Sequence, residues 1–319
     1  MNNNLKTNII YNEDCLIGMK KIPDNSIDLI LCDPPYGTIK GIGIYEKEHT
    51  DWDNELDIYK LFEEYKRVLR YRGRLILFSQ EPFTSKLRTF KAGCEIKFNY
   101  PLIWQKNHFA NWLGANKAPV KYFEDINVFT KEYSKNNFKE ARQYFREIKS
   151  VFGLTTTKVA RAINSFKAQG CLSTESTSFR LCSKETYQEI IDKFHINQYK
   201  NFVNYEKLIN LSKEKEKVFN LPDGKKHVGD ILSYKKDNDH YHPTQKPVKL
   251  LEFLINVYSN KGDIVLDNCI GSGSTAIACI NTNRKYIGFE NNTKFYDVCL
   301  NRIQNHISSF KEEQEDEKI

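Results

Sequence analysis

Four consecutive residues, Asp33-Pro34-Pro35-Tyr36, set a carboxylate, a rigid carbonyl and a flat aromatic ring side by side. Proline fixes its own φ, so the Pro34 carbonyl has little freedom to turn away. A carboxylate and a carbonyl so placed accept hydrogen bonds from both N–H groups of an amine. The exocyclic amine of a nucleobase is a poor nucleophile because its lone pair is delocalised into the ring. Two acceptors favour the tetrahedral nitrogen that it reaches in a transition state. Tyr36 adds a face on which a base turned out of a duplex can stack. The same four residues also spell an ordinary turn, and the setting has to separate the two readings.

A second constellation lies near the C-terminus. Asp263 to Asp267 (D-I-V-L-D) reads as a strand, Asn268 to Ser274 as a glycine-containing loop, and Ser274 to Ile280 as a helix. Gly271 and Gly273 let a ligand approach the backbone, and a helix N-terminus favours negative charge. Lys285 to Gly288 reads as the next strand, with Glu290 at its end, 19 residues after Gly271. An acid there suits ribose hydroxyls. Gly271, Gly273 and Ala276 spell G-x-G-x-x-A, which alone does not separate a nicotinamide dinucleotide from S-adenosylmethionine (AdoMet), or either from a tight turn without ligand.

The elements around these motifs must bring them together. Asp28 to Cys32 is an apolar run that stops at the prolines and reads as a buried strand. Leu61, Phe62, Tyr65, Val68 and Leu69 give Leu56 to Leu69 the period of an amphipathic helix. Leu75 to Phe78, Ile96 to Trp104 and Glu124 to Thr130 read as strands, and Phe83 to Ala92 as a helix. Leu250, Leu251, Leu254, Ile255 and Tyr258 form a helical stripe after Pro247. Strands alternating with helices predict an α/β fold with a largely parallel sheet. Only 29 residues follow Glu290, too few to complete a doubly wound sheet. The missing strands must come from the N-terminal half, in circularly permuted order. The strand ending at Asp33 then lies beside the one ending at Asp267, where strand order reverses and ligands bind. Residues 311–319 are charged and expected to fray.

Charge is unevenly spread. Between Lys131 and Asp239 there are 21 Lys plus Arg against 14 Asp plus Glu, which accounts for the whole net charge of +7. This points either to a polyanion held by that segment or to a Lys-rich solvated surface. Thr157 to Phe166 and a helix capped by Ser183 make it compatible with a small helix-turn-helix or winged module. The eight cysteines contain no C-x-x-C pair, arguing against a zinc ribbon or disulfide framework. No apolar run reaches the ~18 residues of a membrane span, and the start lacks the apolar stretch of a signal peptide. A cytoplasmic protein without membrane partners is expected.

In this order the motifs resemble the β-class AdoMet-dependent DNA amino-methyltransferases, over residues 9–130 and 240–303. The resemblance implies a Rossmann-like methyltransferase sheet, circularly permuted, with an inserted and mostly helical target-recognition region. Residues 1–130 and 240–319 would form the catalytic domain and 131–239 the insertion. Asp33, Pro34, Pro35 and Tyr36 match the catalytic motif, and an aspartate at its head goes with N6 of adenine rather than N4 of cytosine. Asp267 to Thr275 matches the AdoMet loop, so Asp267, Gly271, Gly273, Ser274 and Thr275 would meet the cofactor and Glu290 its ribose. His242 to Pro247 is similar to a segment near the methionine end, which nominates Thr244 and Lys246. Asn12-Glu13-Asp14-Cys15 is similar to the stretch whose aspartate, here Asp14, approaches the cofactor adenine. The family loop commonly reads Asp-Pro-Phe where this chain has Asp267-Asn268-Cys269, so that aromatic contact is lost or supplied elsewhere.

Double-stranded DNA is the implied partner, with a homodimer and a cognate restriction endonuclease as further expectations, and no metal is required. Lys158, Arg161, Asn164 and Arg180 are candidates for DNA contact, though any of them also reads as a solvated helix residue. His108, Asn111 and Trp112 are candidates for the flipped-base pocket, with core packing the alternative for Trp112. His195 reads as a helix end. Three rival readings stand beside this one: methylation of an RNA base or a protein amide, NAD-dependent oxidoreduction, and DNA binding by an inactive core.

Overall fold

The computed structural model describes residues 6–37, 56–90, 95–110, 115–117, 119–132, 138–176, 178–212, 218–239, 241 and 245–316. Two compact units emerge, one from Met1–Glu132 with Lys217–Ile319 and the other from Tyr133–Glu216.

The first unit is built on eight strands: β1 (Ile9–Tyr11), β2 (Ile27–Cys32), β3 (Leu69–Ser79), β4 (Ile96–Ala110), β5 (Lys121–Lys131), β6 (Ile231–Ser233), β7 (Ile264–Asp267) and β8 (Lys285–Phe289). Their order across the sheet is β1-β8-β7-β2-β3-β5-β4-β6. The first five run parallel, β5 is antiparallel to both its neighbours, and β6 is parallel to β4. The permuted order read from the sequence is therefore the observed one, with C-terminal β7 against N-terminal β2.

Alternation along the strands feeds two cores. Leu29 and Leu31 of β2, with Ile76 and Phe78 of β3, face α9 (Val248–Tyr258) and α10 (Ser274–Asn281). Ile30 and Cys32, with Leu75 and Leu77, face α2 (Ile58–Val68) and α3 (Phe83–Thr89). At the opposite edge from the ligand motifs, Asp28 ties three strands together. It accepts from Arg70 Nε at 2.6 Å and from the Ile264 amide at 2.9 Å, which pins the register of β2 between β3 and β7.

The second unit is helical: α4 (Lys139–Phe152), α5 (Thr156–Ala162), α6 (Gln169–Leu172), α7 (Lys184–Phe194) and α8 (Tyr205–Ser212), around a core that includes Phe145, Phe179, Tyr187 and Ile190. Ser183 caps α7 through the Thr186 amide, as its sequence position suggests. The helix-turn-helix expectation does not hold for α5 and α7, because α6 and a long connection separate them.

The division between the two units falls at Glu132/Tyr133 and Glu216/Lys217, beside the bounds 131 and 239 read for the recognition region. Residues 217–239 group with the sheet, and Lys131 ends β5 as a core residue. Its ammonium donates to Asn25 Oδ1 and the Leu69 carbonyl, each at 2.8 Å, and burial pushes it down to about 8. Lys131 belongs to the sheet and has no part in holding a polyanion. The helical unit proper carries 15 Lys plus Arg against 9 Asp plus Glu, so most of the excess charge stays with it. The last helix, α11, runs over Thr293–Asp316, and residues 317–319 of the stretch expected to fray lie outside the described residues.

Candidate active site

Parallel pairing of β2 with β7, Leu29 opposite Val265 and Ile30 opposite Leu266, makes Asp33 and the glycine loop leave the sheet at the same edge. Adjacent residues then bridge them. Ser272 Oγ in the glycine loop donates to Gln245 Oε1 at 3.3 Å, while the Lys246 ammonium donates to Asp33 Oδ2. The other carboxylate oxygen of Asp33 accepts from the Tyr36 hydroxyl. The Tyr36 ring packs at 5.7 Å against Phe83 of α3.

Behind Asp33 the charges continue. Lys246 Nζ lies 3.2 Å from Glu124 Oε2, and Glu124 Oε1 accepts from Lys106. Burial works against Glu124's charge, but the two ammoniums outweigh it and hold the carboxyl down at about 2. Burial likewise works against Lys246, and the carboxylates of Asp33 and Glu124 keep it protonated above the usual lysine range.

The glycine loop turns through the left-handed region at Gly271 (φ 52°) and Gly273 (φ 84°). At Gly273 a Cβ would stand 2.7 Å from Cys299 Sγ, so only glycine fits. Asp267 closes the loop: Oδ1 accepts from the Cys269 amide at 3.1 Å and Oδ2 from the Thr275 hydroxyl at 2.5 Å. Burial pushes this carboxyl up to about 7. Ser274 Oγ accepts from Arg302 at 2.9 Å. Glu290, at the end of β8, accepts from the Gly271 amide at 3.0 Å and the Asn292 amide at 2.8 Å, and burial raises its carboxyl above the ordinary range. Pairing of β1 with β8 carries the Asn12 stretch alongside: Asn12 Nδ2 donates to the Glu290 carbonyl at 2.8 Å. Asp14 Oδ1 caps α1 (Cys15–Gly18) through the Leu16 and Ile17 amides.

Asn268, where the resemblance leads one to expect proline, is buried and bonded. Its side-chain oxygen accepts from Tyr65 at 2.7 Å, and its amide faces the Cys269 thiol at 3.4 Å and that of Cys15 at 3.8 Å. Burial pushes the nearby Cys32 thiol up to about 12, so it packs as a neutral group. Tyr65→Phe leaves that amide oxygen unpaired and is expected to cost about 1–3 kcal/mol of stability. Urea unfolding reads it, and an unchanged midpoint refutes the bond.

The structure thus gathers Asp33, Pro34, Pro35 and Tyr36 with Gly271, Gly273, Glu290 and the Asp14 stretch along one sheet edge. Asp267, Ser274 and Thr275 bond to protein partners that shape the loop. Lys246, nominated for the methionine end of a cofactor, bonds to Asp33. Thr244, Asn111 and Trp112 lie outside the described residues. His108, half-buried near the end of β4, has its Nδ1 3.1 Å from Asn107 Oδ1.

In the helical unit, Lys158 Nζ meets the Gly153 carbonyl at 3.3 Å beyond the end of α4. Arg161, Asn164 and Arg180 are exposed, with the Arg180 stem lying against Gly170. His195 is the residue at which α7 ends, in the left-handed region at φ 50°. Sequence reading missed Gln245, Arg302, Glu124 and Lys106. The last two had a signal, for Glu124 falls in step with the inward Ile126 and Val128 at period two.

Comparison with known proteins now bears on this edge. Residues 27–301 match the N6/N4 family described as DNA methylase. The chain belongs to this family. It is an AdoMet-dependent DNA methyltransferase, and the family as such spans adenine N6 and cytosine N4. The type II methyltransferase M.HpaI of Haemophilus parainfluenzae is 24% identical over 92% of this chain and 73% of its own length. The DNA adenine methyltransferase YhdJ of Escherichia coli K12 is 27% identical over 92% of this chain and 82% of its own. Among solved structures, the crystal structure of an M1.HpyAVI–SAM complex has a similar fold, with TM-score 0.54 and 19% identity over 92% of this chain and 98% of that one. Among the described residues no helix of this methyltransferase is long and apolar enough to cross a membrane, and no cluster of side chains is arranged to hold a metal ion.

Proposed function

We propose that this methyltransferase modifies N6 of adenine in a base flipped out of a specific duplex sequence. The observation that carries the proposal is the juxtaposition of Asp33 with the glycine loop across paired β2 and β7, bridged by Gln245 and Lys246. Asp33 rather than serine at the head of the motif supports adenine, as does the name of the relative YhdJ.

The donors and acceptors at this edge fit AdoMet. Glu290 offers acceptor lone pairs for two ribose hydroxyls, and the loop from Gly271 to Gly273 opens the backbone at the start of α10. The Asn12 to Asp14 stretch lies beside Glu290, where it would flank the adenine. Bound AdoMet supplies an electrophilic methyl group. Asp33 accepts one hydrogen of the target amine and the Pro34 carbonyl the other, drawing the nitrogen toward the tetrahedral state. Tyr36, fixed by its bond to Asp33 and by Phe83, presents a ring on which the base stacks. Each oxygen of a carboxylate has two lone pairs, so Asp33 can serve the amine while keeping Tyr36 and Lys246.

In the helical unit, Arg161, Asn164 and Arg180 are the exposed candidates for DNA contact. Lys158 is the weaker one, since carbonyls of its own unit already engage it.

Mass analysis of nucleosides from DNA incubated with the protein and AdoMet tests the reading. N6-methyldeoxyadenosine is expected. N4-methyldeoxycytidine in its place overturns the adenine assignment, and methyl incorporation only into RNA or protein overturns the substrate class.

A further inference from the structure

We propose that Glu124 and Lys106, on the β4–β5 hairpin, are positioning residues for methyl transfer that hold Lys246 against Asp33 and so fix the carboxylate facing the target amine. The proposal rests on the reading of Asp33 as the amine acceptor.

The hairpin is built to reach that place. The pairing of β3 with β5 ends at Ser79 opposite Asp125, whereas β4 and β5 continue pairing through Trp104–Glu124 and Gln105–Phe123. The two strands therefore overshoot the sheet at the edge from which Asp33 emerges. Inward positions just before the overshoot are apolar: Leu102 and Trp104 on β4, Ile126 and Val128 on β5. The next inward positions are Lys106 and Glu124, only 7% exposed each. Burying ions is costly unless each is paired. Here the signs alternate from Lys106 through Glu124 and Lys246 to Asp33, and each ion lies in contact with the next.

Lys246 has four rotatable side-chain bonds, and one carboxylate would leave its direction loose. Two carboxylates, with the Phe78 ring 5.1 Å from its ammonium, give it one place. Among the described residues Glu124 meets only Lys106 and Lys246. Lys106 is itself steadied over the Trp104 ring at 5.0 Å. Tyr36 holds the far oxygen of Asp33. Among the described residues, Lys236 also acts on Lys106, Glu124 and Lys246, and Asp267 acts on Asp33.

Glu124→Gln keeps the shape and removes the charge. Single-turnover methyl transfer from saturating AdoMet to duplex DNA is expected to fall about 10²-fold, with the dissociation constants of AdoMet and DNA changed less than about twofold. The pH–rate profile should move to lower pH, because Glu124's charge raises both Lys246 and Asp33. A folded Glu124→Gln protein with the wild-type rate and profile overturns the proposal. Should that variant not fold, Lys106→Met decides. It removes one of the two ammoniums that keep Glu124 ionised, so its rate deficit should grow as pH falls and vanish as pH rises. A deficit independent of pH, or none, overturns the positioning role. Asp33→Ala separates this from the underlying reading: wild-type activity there sinks the role of Asp33 itself, whatever the hairpin variants do.

Discussion

Asp33→Ala is expected to slow methyl transfer about 10²–10³-fold, the effect of removing one preorganised polar partner from a transition state, while AdoMet binds within about twofold of wild type. The separation of rate from binding follows from the geometry. Asp33 bonds to Tyr36 and Lys246, whereas the glycine loop is held by Asp267, Arg302 and Glu290. Removing the carboxylate leaves those loop bonds in place. It also takes one carboxylate from the Lys246 ammonium, which keeps Glu124, and the acceptor of the Tyr36 hydroxyl. Single-turnover rates with AdoMet pre-bound, set beside calorimetric titration of AdoMet, measure both halves. Loss of AdoMet affinity matching the loss of rate would mean that Asp33 belongs to the cofactor site. Asp33→Asn tests charge against shape: it keeps an acceptor oxygen toward the amine but loses the charge that pairs with Lys246, and an intermediate rate is expected.

Glu290→Ala should act on the other half of the site, weakening AdoMet about 10²–10³-fold. That corresponds to two hydrogen bonds to a charged group at about 1.5–3 kcal/mol each, discounted for non-additivity. Saturating AdoMet should restore most of the single-turnover rate, since Glu290 touches no reacting atom. The same residue predicts a pH dependence with a definite sign. Burial sets the Glu290 carboxyl above the ordinary range, and only the ionised form accepts from both ribose hydroxyls and both backbone amides. AdoMet affinity should therefore be complete at neutral pH and fall as pH drops through that raised value, at a higher pH than an exposed glutamate would show. Calorimetry of wild type and Glu290→Gln over a pH series checks this. A wild-type affinity that stays flat down to the ordinary carboxylate range excludes Glu290 as the ribose acceptor.

Much of this edge was legible in the residues. Asp33-Pro34-Pro35-Tyr36 is short-range information, because proline geometry and strand alternation act within a few positions of themselves. Gly271 and Gly273 announce a left-handed turn in the same local way, and both adopt it. Even the pairing of β2 with β7 was within reach, since the motifs at Asp33 and Gly271 serve one ligand only if their strands are neighbours. What escaped was of another kind. The short edge strands β1 and β6 carry too few residues to show a period. Lys131 counted toward a basic segment although it is buried at the end of β5. The helical unit is shorter than the basic segment, because net charge does not mark where contacts stop.

By itself, then, the sequence determined which chemical groups this methyltransferase owns and the order in which strands and loops present them, because prolines, glycines and apolar periods constrain their own neighbourhoods. Tertiary structure decided which charges meet. Lys246 reaches Asp33 across 213 positions, and Lys106 reaches Glu124 across a hairpin. Strand period can mark Glu124 and Lys106 as inward positions, but it does not say which ion of opposite sign each meets. Only folding brings those ions together, and only the low dielectric of the interior gives their pairing its strength.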